Sequence, residues 1–389
     1  MIANMPSRKI YFLYLLIFLG MMSAFGPFVT DMYLPTLPSM AEEFMVSVSD
    51  VQMGITMSLL GLAFGQIFFG PLSDRYGRKP IMFWSLILFV VATAADIYST
   101  DIFYFNLFRF IQGMGGAGGI VLSRSVVTDC YSGRELAKTM AIIGAINGIA
   151  PIAAPVAGGL VAASYGWRGV FTALLGLGAI LIVLSVPFVE SLSRPDRIRG
   201  GFKKLYGNFF LLIKEKSFLY PVVFFSFANG VLFSYISSAP FITETIFGYS
   251  DKFFSLIFAV NALSIVIGSA VSLRFKNLKA AVSAGALITL ILSLGLIINS
   301  LIIRDFLIYE VCTWFLLFGL GVIFPSITTI AMNNGRLAVG AASAIVGASG
   351  FLIGGIVSPL GGLGDILITS AILMTSSSIF MIFFLKKIV

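Results

Sequence analysis

Continuous apolar runs, each about as long as a membrane-spanning helix, recur through the chain and constrain its fold more than any other feature. An α-helix needs about 20 apolar residues to cross the hydrocarbon core of a bilayer. A membrane β-barrel would instead show shorter strands in which polar and apolar residues alternate. Of the 389 residues, 58% are apolar and 11% are charged, and a soluble protein could not bury so much apolar surface. The sequence therefore predicts an all-α polytopic membrane protein.

Twelve such runs are predicted to cross the membrane, and the longest polar stretch, 190–217, falls between the sixth and the seventh. This division predicts an N-terminal six-helix bundle over residues 1–190, a cytoplasmic linker over 191–217 and a C-terminal six-helix bundle over 218–389. Two such bundles are typical of transporters that rock one bundle against the other around a central site. The predicted spans are 10–36, 50–72, 81–99, 102–124, 137–162, 168–189, 218–241, 253–273, 280–299, 303–327, 339–360 and 366–385.

The basic residues indicate how the chain is oriented in the membrane. Of the 25 Lys and Arg residues, Arg109 lies inside a predicted span, and Arg168, Lys252 and Arg304 lie in loops opposite the N-terminus. All the others lie in loops or termini on the N-terminal side. Because basic loops remain in the cytoplasm, the sequence predicts a bacterial inner-membrane protein with both termini cytoplasmic. This orientation explains the net charge of +8, so we expect no nucleic-acid partner.

Residue usage argues against an enzyme or a metalloprotein. The chain has no histidine, the commonest metal ligand and general base, and its two cysteines, Cys130 and Cys312, lie in no motif. Gly113, Gly115 and Gly118 have the spacing of a dinucleotide-binding loop, but they lie within an apolar span, where small residues let helices pack closely. We therefore expect no enzymatic activity, no cofactor and no metal ion.

The loop after the second predicted span reads GPLSDRYGRKP, which resembles the signature of the major facilitator superfamily at the same position. The resemblance implies that Asp74 approaches the start of span eleven, near Val339 and Gly340. It also implies that Arg78 reaches Asp129, which would form a latch that is closed when the transporter faces outward. The alternative is a charge cluster that only orients the membrane helices. The residues assigned to gating are Gly70, Asp74, Arg75, Gly77, Arg78, Lys79 and Asp129.

The fifth predicted span contains NGIAPIAAPVAGGL, which resembles the antiporter signature of the same superfamily. The matching residues are Pro151, Pro155, Gly158 and Gly159, whereas Ala154 stands where the family usually has glycine. A proline bends the helix, and glycines beside it permit close contact with the other bundle. The resemblance implies a seal against leakage through the cytoplasmic half, and ordinary helix packing is the alternative.

A carboxylate, Asp31, lies in the stretch TDMYLP of the first apolar run, and an arginine, Arg109, lies within the fourth. Charged side chains inside a span are costly and normally face the bundle interior with a partner. Counting ~1.5 Å per residue between flanking polar markers puts Asp31 about 8 Å and Arg109 about 5 Å outward of the midplane. We therefore expect the two side chains to lie at similar depth and to pair across a cavity. Asp96 and Glu310 are expected near the outer ends of their spans.

Asp31 is predicted to carry the coupling proton, and Arg109 is predicted to tune it. A carboxyl group in a low-dielectric cavity holds its proton tightly, and a nearby arginine weakens that hold. Arg109 resembles the arginine that the superfamily's fourth span uses in proton coupling. The alternatives are an arginine that binds backbone carbonyls and an aspartate that caps the broken end of span one before Pro35.

Three stretches narrow the resemblance to one type of exporter: TDMYLPTLP, RSVVTDCYSGRELAK and GAASAIVGASGF. They resemble the bicyclomycin- and chloramphenicol-resistance type of drug/proton antiporter. The resemblance implies proton-coupled export of small, largely apolar, neutral or weakly polar compounds, antibiotics included. Ser23 stands where related multidrug exporters have a second acid, so a cavity with one Asp and one Arg would be nearly neutral.

The expected substrate pocket is mainly aromatic. Polar side chains within the predicted spans are few, which disfavours the alternative, a facilitator-fold transporter of a metabolite such as a sugar or a siderophore. The expected partners are small-molecule drugs, protons and the lipid bilayer, and the chain is expected to act as a monomer. The residues assigned to the pocket are Phe25, Phe28, Tyr33, Gln112, Asn147, Phe233 and Tyr235.

Overall fold

The structure, a computed structural model, describes residues 8–131, 133–198, 202–336 and 339–388. Within these residues the chain forms helices, turns and loops, and no strand, which confirms the all-α prediction. The helices are α1 (Arg8–Asp31), α2 (Leu37–Phe44), α3 (Val48–Tyr76), α4 (Arg78–Ile97), α5 (Ile102–Cys130), α6 (Gly133–Ser185), α7 (Phe202–Lys214), α8 (Lys216–Pro240), α9 (Asp251–Ser272), α10 (Leu278–Ile298), α11 (Phe306–Asn334), α12 (Val339–Val357) and α13 (Ile366–Ile388).

Ten segments of the described chain are long and apolar enough to cross a membrane. Helix α5 is not among them, but its 29 residues are also long enough to span. Helix α6 contributes one segment, yet it changes direction at Gly166, where φ is 61°, a value that suits glycine. With α5 added and α6 divided at this bend, the helices are consistent with the twelve predicted spans.

Polar residues at the membrane boundaries start several of the helices. Ser47 precedes α3, and its hydroxyl accepts a 3.2 Å hydrogen bond from the backbone N–H of Asp50, whose carboxylate accepts one of 3.1 Å in return. Asp101, Ser250 and Asp305 cap α5, α9 and α11 in the same way with one side-chain bond each. Because the first N–H groups of a helix lack partners inside it, these caps determine where each span begins.

The first predicted span is interrupted at Asp31, where α1 ends. A 3-10 turn follows over Leu34–Thr36, and α2 then completes the crossing. Pro35 disfavours helical geometry in the residue before it and has no N–H to donate, which accounts for the break. The candidate span therefore covers Ile10–Phe44, beyond the predicted 10–36. A break at membrane depth is tolerated where protein buries the free backbone groups, and this turn is fully buried.

Helix α2 is held from the side by residues that follow the bend in α6. Nε1 of Trp167 donates to Oε2 of Glu43 at 2.8 Å, and the guanidinium of Arg168 forms an ion pair with the same carboxylate. The broken first span is therefore joined to α6 immediately after Gly166.

Helices α1 to α6 pack with one another, and α8 to α13 pack with one another. Between these two sets, the linker contains a turn at Arg194–Asp196 and helix α7, whereas residues 199–201 lie outside the described chain. The two sets meet where α3 packs along α12 and where α6 packs along α9. This packing groups the helices as two six-span bundles would, and the domain boundaries drawn from the sequence stay a prediction.

The two ends of the molecule differ in how closely the helix sets are joined. We call the end where α1 begins and α13 ends the terminal side, and the opposite end the far side. On the far side, the hydroxyl of Ser49 donates to the carbonyl oxygen of Pro359 at 2.9 Å, and Nε2 of Gln52 donates to that of Ser237 at 2.8 Å. Toward the terminal side the sets separate around two cavities.

Candidate substrate and proton site

A cavity of about 510 Å³ lies between the two helix sets at the centre of the molecule. Its wall is mainly apolar, and its polar side chains include those of Asp31, Gln66, Arg124 and Asn229. A cavity of this size and lining suits a small, largely apolar molecule. Among the described residues, no three His, Cys, Asp or Glu side chains are grouped so that they could hold a metal ion. The aromatic part of the wall consists of Phe225, Phe233, Tyr235, Phe258, Phe324 and Phe351.

A second cavity, of about 560 Å³, continues the central one toward the terminal side. Gln66, Arg124 and Ser343 line both cavities. The second cavity extends to Asp74, near the end of α3, and to Gly340, at the start of α12. The two adjoining cavities therefore extend from the centre of the molecule toward the terminal side, whereas hydrogen bonds join the helix sets on the far side.

Asp31 faces the central cavity from the last residue of α1. The residue is 4% exposed, and within the described chain its carboxylate accepts one hydrogen bond, from the hydroxyl of Thr30 at 2.7 Å. None of the ion pairs in the described chain includes Asp31. The carbonyl end of a helix carries partial negative charge, which offers a carboxylate no compensation. Asp31 is thus a buried carboxyl group that faces the cavity without a cationic partner.

Arg109 is fully buried on a packed face of α5 and does not line the cavity. Its Nη2 donates to the carbonyl oxygen of Val29 at 2.9 Å. The guanidinium also lies over the rings of Tyr33 and Phe171, at 4.4 and 5.4 Å from their centroids. The expected pair between Asp31 and Arg109 is therefore not formed. The geometry matches the alternative in which the arginine binds a backbone carbonyl.

The missing pair has a simple geometric cause. Counting helical rises predicts that Arg109 and Asp31 lie at similar height along their helices. This prediction is correct, because Arg109 binds Val29, which lies two residues before Asp31. The number of residues along a helix gives the height of a side chain but not the direction in which it points around the helix axis. Nη1 of Arg109 donates to Gln112, which in turn donates to Thr93 of α4 at 2.8 Å. This face of α5 points into the N-terminal helix set and away from the cavity.

Asp96 is a second acid near Arg109, and it lies at the outer end of its span as the sequence predicts, since α4 ends at Ile97. The residue is fully buried, and neither carboxylate oxygen has a hydrogen-bond partner in the described chain. Arg109 acts on it electrostatically without forming a direct ion pair. An acid within an apolar span is a functional candidate by default, and this rule singles out Asp96 where the height estimate does not.

Tyr235 connects the cavity to a third acid, in the C-terminal helix set. Its hydroxyl accepts a hydrogen bond of 3.0 Å from Nδ2 of Asn261. Glu310 acts electrostatically on the same tyrosine, and its Oε1 is buried with no hydrogen-bond partner in the described chain. The sequence predicts that Glu310 is a solvated residue at a helix end; Glu310 does lie in the second turn of α11, but it is half-buried, with one carboxylate oxygen turned inward.

The residues assigned to the pocket divide between the cavity wall and the interior of a helix set. Phe233 and Tyr235 line the cavity. Phe28 and Gln112 do not, and the side chain of Asn147 lies outside the described chain.

Phe25 and Tyr33 also do not line the cavity, because the side of α1 that faces the cavity carries other residues. Phe25 packs against Phe89, with ring centroids 4.2 Å apart, and Tyr33 is fully buried beside Arg109. The residues by which α1 lines the cavity are Ser23, Gly26, Pro27, Thr30 and Asp31.

The loop between α3 and α4 forms an ionic network of the kind the resemblance implies. Nε of Arg78 donates to Asp129 at 2.9 Å, and Nη1 donates to Asp74 at 2.5 Å. At Gly77 φ is 105°, in the region that favours glycine. A Cβ there would collide with Glu190, whose carboxylate accepts a 2.9 Å hydrogen bond from the backbone N–H of Arg78. The loop thereby joins α4 to α5 and to the segment after α6.

Asp74 does not reach the start of α12 in this structure. Its carboxylate is held by Arg78, and the second cavity separates it from Gly340. The side chain of Val339 lies outside the described chain. The expected latch is therefore formed within the N-terminal helix set and open between the two sets.

The other residues assigned to gating lie around this network. Gly70 lines the second cavity. The guanidinium of Arg75 lies 5.3 Å from the ring centroid of Tyr76, and Nζ of Lys79 donates to the carbonyl oxygen of Val186 at 2.8 Å. The two contacts place the basic side chains of Arg75 and Lys79 at the terminal side, where the sequence predicts them.

The antiporter stretch lies on the face of α6 that meets the first span and the C-terminal helix set. Pro151 lines the central cavity, and Pro155 is buried. Gly158 packs against the carbonyl oxygen of the first residue after α1, and Gly159 packs against the hydroxyl of Ser255 in α9. A Cβ at either glycine would collide with these atoms. The glycines thus allow α6 to contact both the broken first span and the opposite helix set.

Comparison with known proteins identifies the family. The profile of the Major Facilitator Superfamily matches residues 10–359. The chain is 33% identical over 353 residues to the uncharacterized MFS-type transporter YdgK of Bacillus subtilis, which covers 89% of this chain and 88% of that one. It is 29% identical over 362 residues to a bicyclomycin resistance protein homolog of Haemophilus influenzae, with 92% and 90% covered. A solved structure of the xylose transporter XylE from E. coli, in a partially occluded inward-open conformation, matches this chain with a TM-score of 0.73. The match covers 98% of each chain at 14% sequence identity, so it shows the fold alone.

Proposed function

Because the chain belongs to the Major Facilitator Superfamily, whose members are transporters rather than enzymes, we propose that it is a proton-coupled antiporter. It exports small, largely apolar, neutral or weakly polar compounds, antibiotics included. One observation carries the proposal: the apolar central cavity is lined by a single acid, Asp31, which has no cationic partner among the described residues. The similarity to a bicyclomycin resistance protein homolog supports an antibiotic as one substrate.

The protein is a multi-pass membrane protein, and we place it in a bacterial inner membrane with both termini in the cytoplasm. The distribution of basic residues supports this orientation. The terminal side is then cytoplasmic, so the cavity stands open to the compartment from which a drug is exported. In the opposite state, the far-side contacts of Ser49 and Gln52 break, and Asp74 meets the start of α12.

Substrate and proton compete for the space around Asp31. A carboxylate buried without a cation is costly, and a proton removes that cost. A substrate that enters from the terminal side takes the place of the proton, which leaves to the cytoplasm. When the cavity opens on the far side, the substrate leaves and a proton binds. Moving one charge through 100 mV provides about 2.3 kcal/mol, enough for an accumulation of about fifty-fold.

Arg109 serves this cycle as a positioning residue. It does not line the cavity, but it holds the carbonyl oxygen of Val29, two residues before Asp31. The carboxyl group therefore meets the cavity from a stretch of backbone that α5 holds from behind. Cation–π contacts with Tyr33 and Phe171 hold the guanidinium itself in place.

The cavity does not favour the alternative of a sugar or siderophore transporter. Selective sugar sites depend on many side-chain hydrogen bonds to hydroxyl groups. Most of the residues that line the central cavity are apolar, and the side chains there that can form hydrogen bonds are those of Ser23, Thr30, Asp31, Gln66, Arg124, Asn229, Tyr235, Thr328 and Ser343. The likeness to a xylose transporter extends to the fold only.

Proton release from the purified protein tests the proposal. Addition of bicyclomycin or chloramphenicol to the weakly buffered wild-type protein is expected to release protons, and Asp31→Asn is expected to bind drug without releasing them. Glu42→Gln, which changes an exposed acid, is the matched control and should behave as wild type. Equal release from wild type and Asp31→Asn would move proton coupling to another residue, and no drug binding by the wild type would remove the drug substrate.

A further inference from the structure

Arg124 is a cation without a partner at the junction of the two cavities. Helix α5 continues to Cys130, so Arg124 lies within the helix and lines both the central and the second cavity. Its guanidinium is open to the cavities, and it forms no hydrogen bond or ion pair in the described chain. Asp74, on the second cavity, is already paired with Arg78. The positive charge of Arg124 is therefore available to a molecule inside the cavity.

Gln66 lines the same junction from α3, the helix packed beside α5. It is 2% exposed, and its Nε2 has no hydrogen-bond partner in the described chain. A buried donor without an acceptor is costly, and a ligand that accepts its hydrogen bond removes the cost. Arg124 and Gln66 thus present hydrogen-bond donors to one place in the passage.

The charge of Arg124 is too distant from Asp31 to neutralise it. Gly119 of α5 lies against the carbonyl oxygen of Met22 in α1, so these two residues share a level. Arg124 is five residues from that level toward the terminal side, and Asp31 is nine residues from it toward the far side. At ~1.5 Å per residue their backbones are about 21 Å apart along the helices. The two adjoining cavities therefore have a basic residue, Arg124, toward the terminal side and an acidic residue, Asp31, toward the far side.

We propose that Arg124 and Gln66 form an anion subsite, which receives a carboxylate or sulfonate carried by an otherwise apolar molecule. The subsite rests on the proposed function in one respect, that the central cavity is the substrate cavity. When the anionic group is held at the junction, the apolar body of the molecule lies in the central cavity, against its aromatic wall. Asp31 is then free to exchange its proton. The transporter therefore accepts apolar monoanions as well as neutral compounds.

Two probes with the same rings test the subsite: 1-anilinonaphthalene-8-sulfonate and its neutral parent, N-phenyl-1-naphthylamine. Each is titrated by fluorescence against the protein in lipid nanodiscs, with empty nanodiscs subtracted. Arg124→Gln is expected to weaken binding of the sulfonate about tenfold, because it removes a charge-assisted hydrogen bond, and to change binding of the neutral probe less than about twofold. Arg124→Lys is expected to retain most of the preference, and Gln66→Leu to lose part of it. Arg336→Gln, an exposed arginine outside both cavities, is the matched control.

An equal loss for both probes in Arg124→Gln would give Arg124 a structural role, and no loss for either would remove the subsite. Should Arg124→Gln fail to fold, which size-exclusion chromatography reports, Arg124→Lys and Gln66→Leu carry the test. The result is separable from proton coupling. Asp31-dependent proton release by a neutral drug, without a preference for the sulfonate, would overturn the subsite alone. A preference for the sulfonate without such release would overturn the antiporter alone.

Discussion

Nη2 of Arg109 and the carbonyl oxygen of Val29 are 2.9 Å apart, and this bond ties α5 to the last turn of α1. The same turn presents the carboxyl group of Asp31 to the cavity. Arg109 therefore binds this turn of α1 on the side that faces α5, whereas the carboxyl group of Asp31 extends from the turn toward the cavity. The two residues are coupled through the position of this turn and not through an ion pair.

Arg109→Ala is expected to slow drug-driven proton exchange about tenfold to a hundredfold, because a misplaced reacting group costs rate on this scale. Drug affinity should change little, since Arg109 does not line the cavity. Arg109→Lys can replace the bond to Val29 and should recover part of the rate. Collapse of the pH gradient in everted vesicles measures the rate, and equilibrium binding to purified protein measures the affinity. An unchanged gradient collapse in Arg109→Ala would remove its positioning role.

Gly77→Ala is expected to cost about 1–3 kcal/mol, because φ at this position is unfavourable for a side chain. The added Cβ also meets the carboxylate of Glu190, which accepts hydrogen bonds from the loop. Gly207→Ala in α7 is the control: its Cβ would meet no atom, and alanine favours a helix by up to about 1 kcal/mol. The two variants should therefore shift the unfolding midpoint in opposite directions. A shift in the same direction for both would contradict the strained turn.

Gly158→Ala is expected to lower transport at least about tenfold, because its Cβ would push α6 away from the residue that follows Asp31 and displace the acid. Gly176→Ala, in the second part of α6, meets no atom and should transport as wild type. Drug uptake into everted vesicles gives the rates, and a pH dye trapped in proteoliposomes reports any proton leak. Normal transport by Gly158→Ala would show that this contact can loosen without affecting the acid.

Local composition was enough to predict the helical spans and the similar height of Asp31 and Arg109. Each span is a continuous apolar run, and depth follows from counting residues along it. The partners of Arg109 could not be predicted this way, because they depend on which helices surround α5. The ionic contact between Arg78 and Asp129 was predicted from a family motif, which carries tertiary information that composition lacks.

Arg124 shows how the end of a predicted span can draw attention away from a residue of the cavity wall. The predicted fourth span ends at residue 124, which puts this arginine with the basic loop residues. Helix α5 in fact continues to Cys130, because the intervening residues include neither glycine nor proline. Arg124 is therefore followed by about 1.7 further turns of helix and lines both cavities from within α5.

At Gly166 the fifth and sixth spans meet through one non-helical residue, so the adjoining ends of the two spans stay close together. Seven residues before the bend, Gly159 rests on α9 of the opposite helix set. Just after Gly166, Trp167 donates a hydrogen bond to Glu43 of α2, and Arg168 forms an ion pair with the same carboxylate. We therefore expect a tilt of one helix set against the other to move the break between α1 and α2, where Asp31, the proposed proton carrier, lies.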